Sequence, residues 1–270
     1  MRTPRISASS YSNTAPLVWS FLYGSEHGKV EIILDNAPAR SAELLMQDRV
    51  DAALVPVVAS QFIDGVKLIP DVCVGAKDKV RSVCLITDGK DLNDVRSVAL
   101  DISSRTSVVL TKIIFREFLG FEPEWRDAKP DIQAMLASSD AALLIGDPAL
   151  QLSNQSAIRD PQSALRVFDL AELWHEHTGL GFVFAMWMTR KDSLDLNFSA
   201  ARNEGLSHID EIVANYRPDI GIEREQMVEY LTRDIHYSVD KTMMSGLDLY
   251  LKLAEKNGLL AKRRELAFLA

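Results

Sequence analysis

Cysteine, histidine and long apolar runs are all scarce in this chain, and each shortage removes a class of function. Two cysteines, Cys73 and Cys84, occur in 270 residues. Neither has a second cysteine or a histidine at ligand spacing, so a zinc site and a disulfide framework are both unexpected, and buried free thiols are the expectation. Of the five histidines, His175 and His177 stand two apart. On a helix that spacing puts them on different faces, which disfavours a zinc pair and leaves surface histidines. No stretch approaches the roughly 18 apolar residues that a bilayer crossing needs. The opening residues 1–6 lack the apolar core of an export signal, so a cytoplasmic protein is expected. No GxGxxG or Walker motif is present, nor any internal repeat or low-complexity tract. Positive charge is short as well. The formal net charge of -8 argues against nucleic acid or an anionic membrane as the main partner, although a local pocket can still take a small anion.

What is present is ordinary for a globular protein with a sizeable core: 47% hydrophobic and 25% charged residues. Residues 5–13 predict a short strand running into a polar loop, and residues 14–22 a helix with Pro16 in its first turn, where a missing N–H costs nothing. Asn13 falls at that junction, placed either to cap the helix or to face a ligand. A strand over 30–34, a helix over 39–47 and a strand over 52–57 complete a βαβαβ opening. Pro56 cannot donate to a ladder, so it marks the strand's end, where the backbone of residues 55–58 can be exposed to a cleft. Residues 66–69 and 72–75 read as two short strands.

The stretch with most to say is Asp101-Ile-Ser-Ser-Arg-Thr-Ser107. An apolar strand over 98–100 runs into it, and an apolar face at helical spacing follows to Leu119, closed by Gly120. Ser103 or Ser104 is the expected N-cap. A helix start offers unpaired N–H groups and the positive end of the peptide dipoles, so a carboxylate can sit there without a buried ammonium. The hydroxyls of Ser103, Ser104, Thr106 and Ser107 add donors.

Residues 80–86 alternate as a strand, which places Arg81 and Ser82 on opposite faces so that only one need meet a ligand. Residues 121–125 look variable. Residues 141–145 predict a strand buried on both faces. It ends at Gly146-Asp147-Pro148, where Gly146 permits close approach of a ligand to the backbone and Asp147 is expected to cap the next helix. From about residue 193 onward the pattern is helical.

Six segments taken together resemble the chorismate dehydratase family of the futalosine route to menaquinone. They are Ser10-Tyr-Ser-Asn-Thr-Ala-Pro-Leu17, Asp51-Ala-Ala-Leu-Val-Pro-Val57, Val80-Arg-Ser-Val83, the 101–107 turn, Ala142-Leu-Leu-Ile-Gly-Asp-Pro-Ala-Leu150 and Thr178-Gly-Leu-Gly-Phe-Val-Phe184. Each is weak alone; six in order over most of the chain are specific. The resemblance implies an α/β, two-lobed fold like type II periplasmic binding proteins, with the ligand cleft between lobes. Residues 1–95 with 191–270 would form one lobe and 96–190 the other.

It also implies a hydro-lyase that removes water from chorismate to give 3-[(1-carboxyvinyl)oxy]benzoate, with no metal or organic cofactor. Asn13 and Ser82 are the implied catalytic residues. Ser12, Pro56, Val57, Arg81, Ser103, Ser104, Arg105, Thr106, Ser107, Gly146 and Asp147 are the implied substrate contacts. Two other readings remain open: the sister enzyme 1,4-dihydroxy-6-naphthoate synthase, and a non-catalytic binding protein for a small dicarboxylate. The sister family carries a histidine base at the strand end where this chain has Gly146-Asp147.

Overall fold

The protein is described by a computed structural model over residues 2–156 and 165–270. The chain opens with β1 (Arg5–Ser9), α1 (Ala15–Tyr23), β2 (Glu31–Asp35), α2 (Pro38–Met46), β3 (Ala52–Pro56) and β4 (Lys67–Ala76). It continues through β5 (Val83–Asp88), β6 (Ser97–Asp101), α3 (Arg105–Ile113), β7 (Glu124–Ala128), α4 (Ile132–Ser138), β8 (Ala141–Ile145), α5 (Gly146–Ser156), β9 (Leu165–Asp169), α6 (Leu170–Thr178) and β10 (Phe182–Thr189). Four helices close it: α7 (Phe198–Ser207), α8 (Ile209–Ile220), α9 (Arg224–Glu229) and α10 (Lys241–Lys256). None of the described helices is long and apolar enough to cross a membrane.

Among the described residues ten strands form two five-stranded sheets, ordered β2-β1-β3-β10-β4 and β7-β6-β8-β5-β9. The two are built alike. In the first, β1 runs parallel to β2 and β3, and β10 is inserted antiparallel between β3 and β4. In the second, β6 runs parallel to β7 and β8, and β5 is inserted antiparallel between β8 and β9. Each half thus receives one strand from the far side of a chain crossing.

Those inserted strands correct the lobe boundaries expected at residues 95 and 190. β5 lies in the second sheet and β10 in the first, so the chain crosses over residues 77–82 and 179–181. The physical reason is that both strands are buried on both faces along nearly their whole length. A run that is apolar on both faces announces a central strand but not which sheet it enters.

Local chemistry explains three further differences. Residues 67–76 form one strand where two were expected. The break in apolar pattern at Pro70-Asp71 is a bend, with Asp71 at φ 59° and register shifts against β10. β7 is a strand of which the sequence pattern gives no sign, because its side chains are mostly exposed and charged, which suits an edge strand. α3 widens into a π-helical turn (Ile114–Leu119) before Gly120 ends it in the left-handed conformation. Both cysteines are buried and free, as expected.

The sheets meet around an aromatic seam. Trp174 of α6 packs edge-on against Phe182 of β10 at 5.4 Å, and Phe182 against Tyr250 of α10 at 5.1 Å. Burying each such side chain contributes about 1.5–3 kcal/mol. The Tyr250 hydroxyl also donates to the carbonyl of Thr106 at 3.1 Å, fixing the start of α3.

Candidate active site

A cavity lies where strand ends of the two sheets face each other. From the first sheet come Ser9, Tyr11, Asn13, Pro56 and Phe184; from the second, Val83, Ser104, Thr106, Ser107 and Gly146.

The β1–α1 connection is tied by Thr14, whose hydroxyl donates to the carbonyls of Ser9 at 2.6 Å and Tyr11 at 2.8 Å. That knot turns Tyr11 and Asn13 toward the cavity and fixes the short helical turn Ser12–Thr14. Asn13 is 8% exposed, and lines the wall. Across the cleft, Ser104 is the N-cap of α3 with extended backbone and makes no side-chain cap bond. Its hydroxyl is thus left for a ligand, beside first-turn N–H groups that have no intrahelical acceptor. Ser103 instead turns back, donating through N–H at 2.8 Å and Oγ at 2.6 Å to the Asp101 carboxylate. Burial pushes the Asp101 carboxyl up, against those two bonds.

The third wall is the β8–α5 junction. Gly146 sits at φ 67°, and an added Cβ would meet the Tyr11 ring at 2.7 Å. Glycine is therefore required both by backbone conformation and by the tyrosine that fills the space beside it. Asp147 does not cap α5, which begins at Gly146. Its carboxylate crosses the cleft and accepts from the Ser12 N–H, 3.1 Å to each oxygen, and from the Ser12 hydroxyl. Burial pushes the Asp147 carboxyl up, and the Ser12 bonds hold it down. Two weaker ties join the same edges: Val58 N–H to Thr106 Oγ1 and Ala39 N–H to the Ser103 carbonyl, both 3.3 Å.

Of the residues singled out in the sequence, Asn13, Pro56, Ser104, Thr106, Ser107 and Gly146 line the cavity. Ser12, Asp147 and Ser103 brace it. Val57 is buried behind Pro56, its carbonyl taken by Ser60 Oγ at 2.8 Å. The two arginines point elsewhere. Arg105 lies 5.2 Å over the Phe62 ring and 3.8 Å from Glu43, at the outer rim. Arg81 pairs through Nε with the buried Asp234 and donates from Nη2 to the Gln226 carbonyl at 3.1 Å.

Residues 80–82 are not strand either. Arg81 takes φ 56°, with its N–H and that of Val80 both donating to Asp169, at 2.6 and 2.9 Å. The alternation argument for Arg81 and Ser82 therefore fails, because it requires extended backbone. Ser82 is fully buried one residue before the lining Val83, and its carbonyl accepts from Gly146 N–H at 2.7 Å.

Sequence reasoning passed over Tyr11 and Tyr230. Tyr11 was an unremarked member of a loop. Its phenol is pushed up to about 12, mainly by burial and then by the nearby Asp101 charge, so it keeps its proton at neutral pH. Tyr230 lies 148 positions after Ser82 by the numbering and is wholly buried. Among the described residues of the cavity wall there is no carboxylate, lysine, arginine or histidine. Nor do the described residues place three or more His, Cys, Asp or Glu so as to hold a metal ion. Such a wall can orient an anion through neutral donors and a helix start; it has no group to take a proton at pH 7.

The chain is similar to known proteins along almost its full length. It is 29% identical over 236 residues to a protein named chorismate dehydratase from Thermus thermophilus, covering 81% of this chain and 84% of that one. A solved Archaeoglobus fulgidus protein superposes with a TM-score of 0.69 at 15% identity, covering 95% of this chain and 98% of that one. The periplasmic aliphatic sulphonate binding protein of Escherichia coli does so with a TM-score of 0.64 at 16% identity, covering 99% and 93%. A Candida albicans protein described as having the generic periplasmic binding protein fold gives a TM-score of 0.67 at 15% identity, covering 98% and 92%. At these identities the solved structures establish the fold alone, and it is the two-lobed binding-protein fold that the resemblance implied. The model of the family described as menaquinone biosynthesis matches residues 4–256, and the chain belongs to that family.

Proposed function

We propose that this protein is a lyase that dehydrates chorismate to 3-[(1-carboxyvinyl)oxy]benzoate for menaquinone biosynthesis. Family membership and the Thermus thermophilus relative named chorismate dehydratase support the reading. The observation that carries it is the cavity wall: donors from both sheets, with no base and no cation among its described residues.

That poverty suits this reaction. Dehydration removes one ring proton and one hydroxyl and leaves an aromatic ring, so the step is strongly downhill once geometry is set. One carboxylate of the substrate is received by the start of α3, where Ser104, Thr106 and Ser107 supply donors beside the backbone N–H groups. Asn13 and Ser82 stabilise the charge that develops and assist the leaving hydroxyl. The ring proton passes to a carboxylate of the substrate itself, since the wall's ionisable group, Tyr11, stays protonated. Positioning of this kind lowers a barrier by up to about 7–11 kcal/mol. A histidine base at position 146, as in the sister enzyme, has no room beside the Tyr11 ring.

Purified protein incubated with chorismate should consume the diene absorbance and yield a product lighter by one water. Chorismate bound and returned unchanged would make the protein a carrier. Inertness to chorismate with conversion of cyclic dehypoxanthine futalosine to 1,4-dihydroxy-6-naphthoate would make it the sister enzyme.

A further inference from the structure

We infer that Tyr230 is a positioning residue for this reaction: its hydroxyl, buried against Ser82 and Asn13, fixes the direction in which those two side chains offer their donors to the substrate. The inference rests on the chorismate reading above and adds a third member to its machinery.

Two buried hydroxyls meet here without a settled partner. The side chains of Ser82 and Asn13 lie against the Tyr230 hydroxyl, yet neither Tyr230 Oη nor Ser82 Oγ completes a hydrogen bond of normal geometry with the protein. Both residues are fully buried. A buried hydroxyl left unpaired is costly, so two side by side are an exception that needs a reason. A small rotation satisfies one with the other, and the phenol is the better donor. Burial, reinforced by the Asp147 charge, pushes that phenol up, so it carries its proton at every working pH. When Tyr230 donates to Ser82 Oγ, the serine's own proton is left for an acceptor other than Tyr230, one residue from the lining Val83.

The surroundings hold this arrangement from both ends. Tyr230 opens a π-helical turn, Tyr230–Asp234, a distortion frequent at functional sites. Asp234 at its other end pairs with Arg81, the residue before Ser82, and the Arg81 guanidinium lies 5.7 Å over the Tyr230 ring. The clamp thus joins the backbone of Ser82 to the element that carries Tyr230. It also accounts for an arginine held in the left-handed conformation away from the substrate.

The test is a double-mutant cycle with a KM-against-kcat split. Tyr230→Phe keeps the ring and its packing. It should lower kcat between about 10- and 100-fold, the scale of a small misplacement at a reacting centre, with KM within about 2-fold. Ser82→Ala combined with Tyr230→Phe should lose clearly less than the product of the two single losses, the remainder being the part that acts through Asn13. Wild-type kcat in Tyr230→Phe, or losses that multiply in the double variant, would overturn the assignment. A measurement independent of the Phe variant uses 3-fluorotyrosine placed at 230. Its fluorine resonance should move on Ser82→Ala, and an unmoved resonance would equally overturn the assignment. Wild-type protein inert toward chorismate would sink the proposed function instead, and is seen before any variant is made.

Discussion

Substituting Gly146 by alanine tests the cleft at the point where conformation, packing and chemistry coincide. The left-handed backbone costs a non-glycine residue about 1–2 kcal/mol. The new Cβ would also stand 2.7 Å from the Tyr11 ring, where carbon atoms pack best at about 3.5–4.0 Å. Forcing the ring aside in a packed wall adds about 1–3 kcal/mol, for a total of about 2–5 kcal/mol. Gly179 supplies the control: it has the same φ of 67°, and nothing within 4 Å of its Cβ position. Gly179→Ala should therefore lose only the conformational part, and subtraction isolates the clash with Tyr11. Urea unfolding at pH 7 measures both, read from midpoints at unchanged slope. Because Tyr11 precedes Ser12 and shares the cavity wall with Asn13, the displaced ring should also raise KM for chorismate about 10-fold. Gly179→Ala should leave KM alone. Equal stability losses in the two variants, with equal KM, would refute the placement of Tyr11 over Gly146.

Asn13→Ala and Ser82→Ala should each lower kcat by about 10²-fold or more with little change in melting temperature, as removal of a charge-stabilising donor does; wild-type turnover in both would abandon their catalytic roles. With no enzyme base on the described wall, kcat should be flat from about pH 6 to 9, and a limb titrating near 6.5 would point to a histidine the site does not hold. Burial pushes the Asp169 carboxyl from its usual 3.8 up to about 6, against four backbone N–H donors. A raised acid favours the fold while protonated, so its contribution is present below about pH 4 and is lost as pH rises through 6, on the order of 3 kcal/mol. Between pH 4 and 7 the wild type should therefore lose about that much stability relative to Asp169→Asn in urea melts; parallel curves would contradict it.

The elements nearest the site were the most legible. Pro16 inside the first turn of α1, Pro56 at the end of β3 and the hydroxyl cluster before α3 each carry a local rule that the fold obeys. What escaped depends on partners far along the chain. Alternation over residues 80–86 concealed a left-handed Arg81, because the cause is Asp234 and Asp169, which hold it from 153 and 88 positions away. β5 and β10 looked like any buried strand, and only pairing decides that they exchange sheets. Arg105, the one cation in the 101–107 turn, suggested an anion contact; Phe62 and Glu43 draw it to the rim instead. Tyr230 had no motif around it and acquires meaning only when the π-helical turn brings its hydroxyl to Ser82 and Asn13.

The bridge from Ser12 to Asp147 carries a kinetic consequence. Its bonds join the two walls beside the cavity, and a hydrogen bond to a charged acceptor is worth about 1.5–3 kcal/mol. A cleft that opens to admit substrate and release product parts these bonds and remakes them. An irreversible, downhill chemical step leaves the slow event to that gate, so saturated turnover should track solvent viscosity more closely than isotopic substitution at the ring carbon.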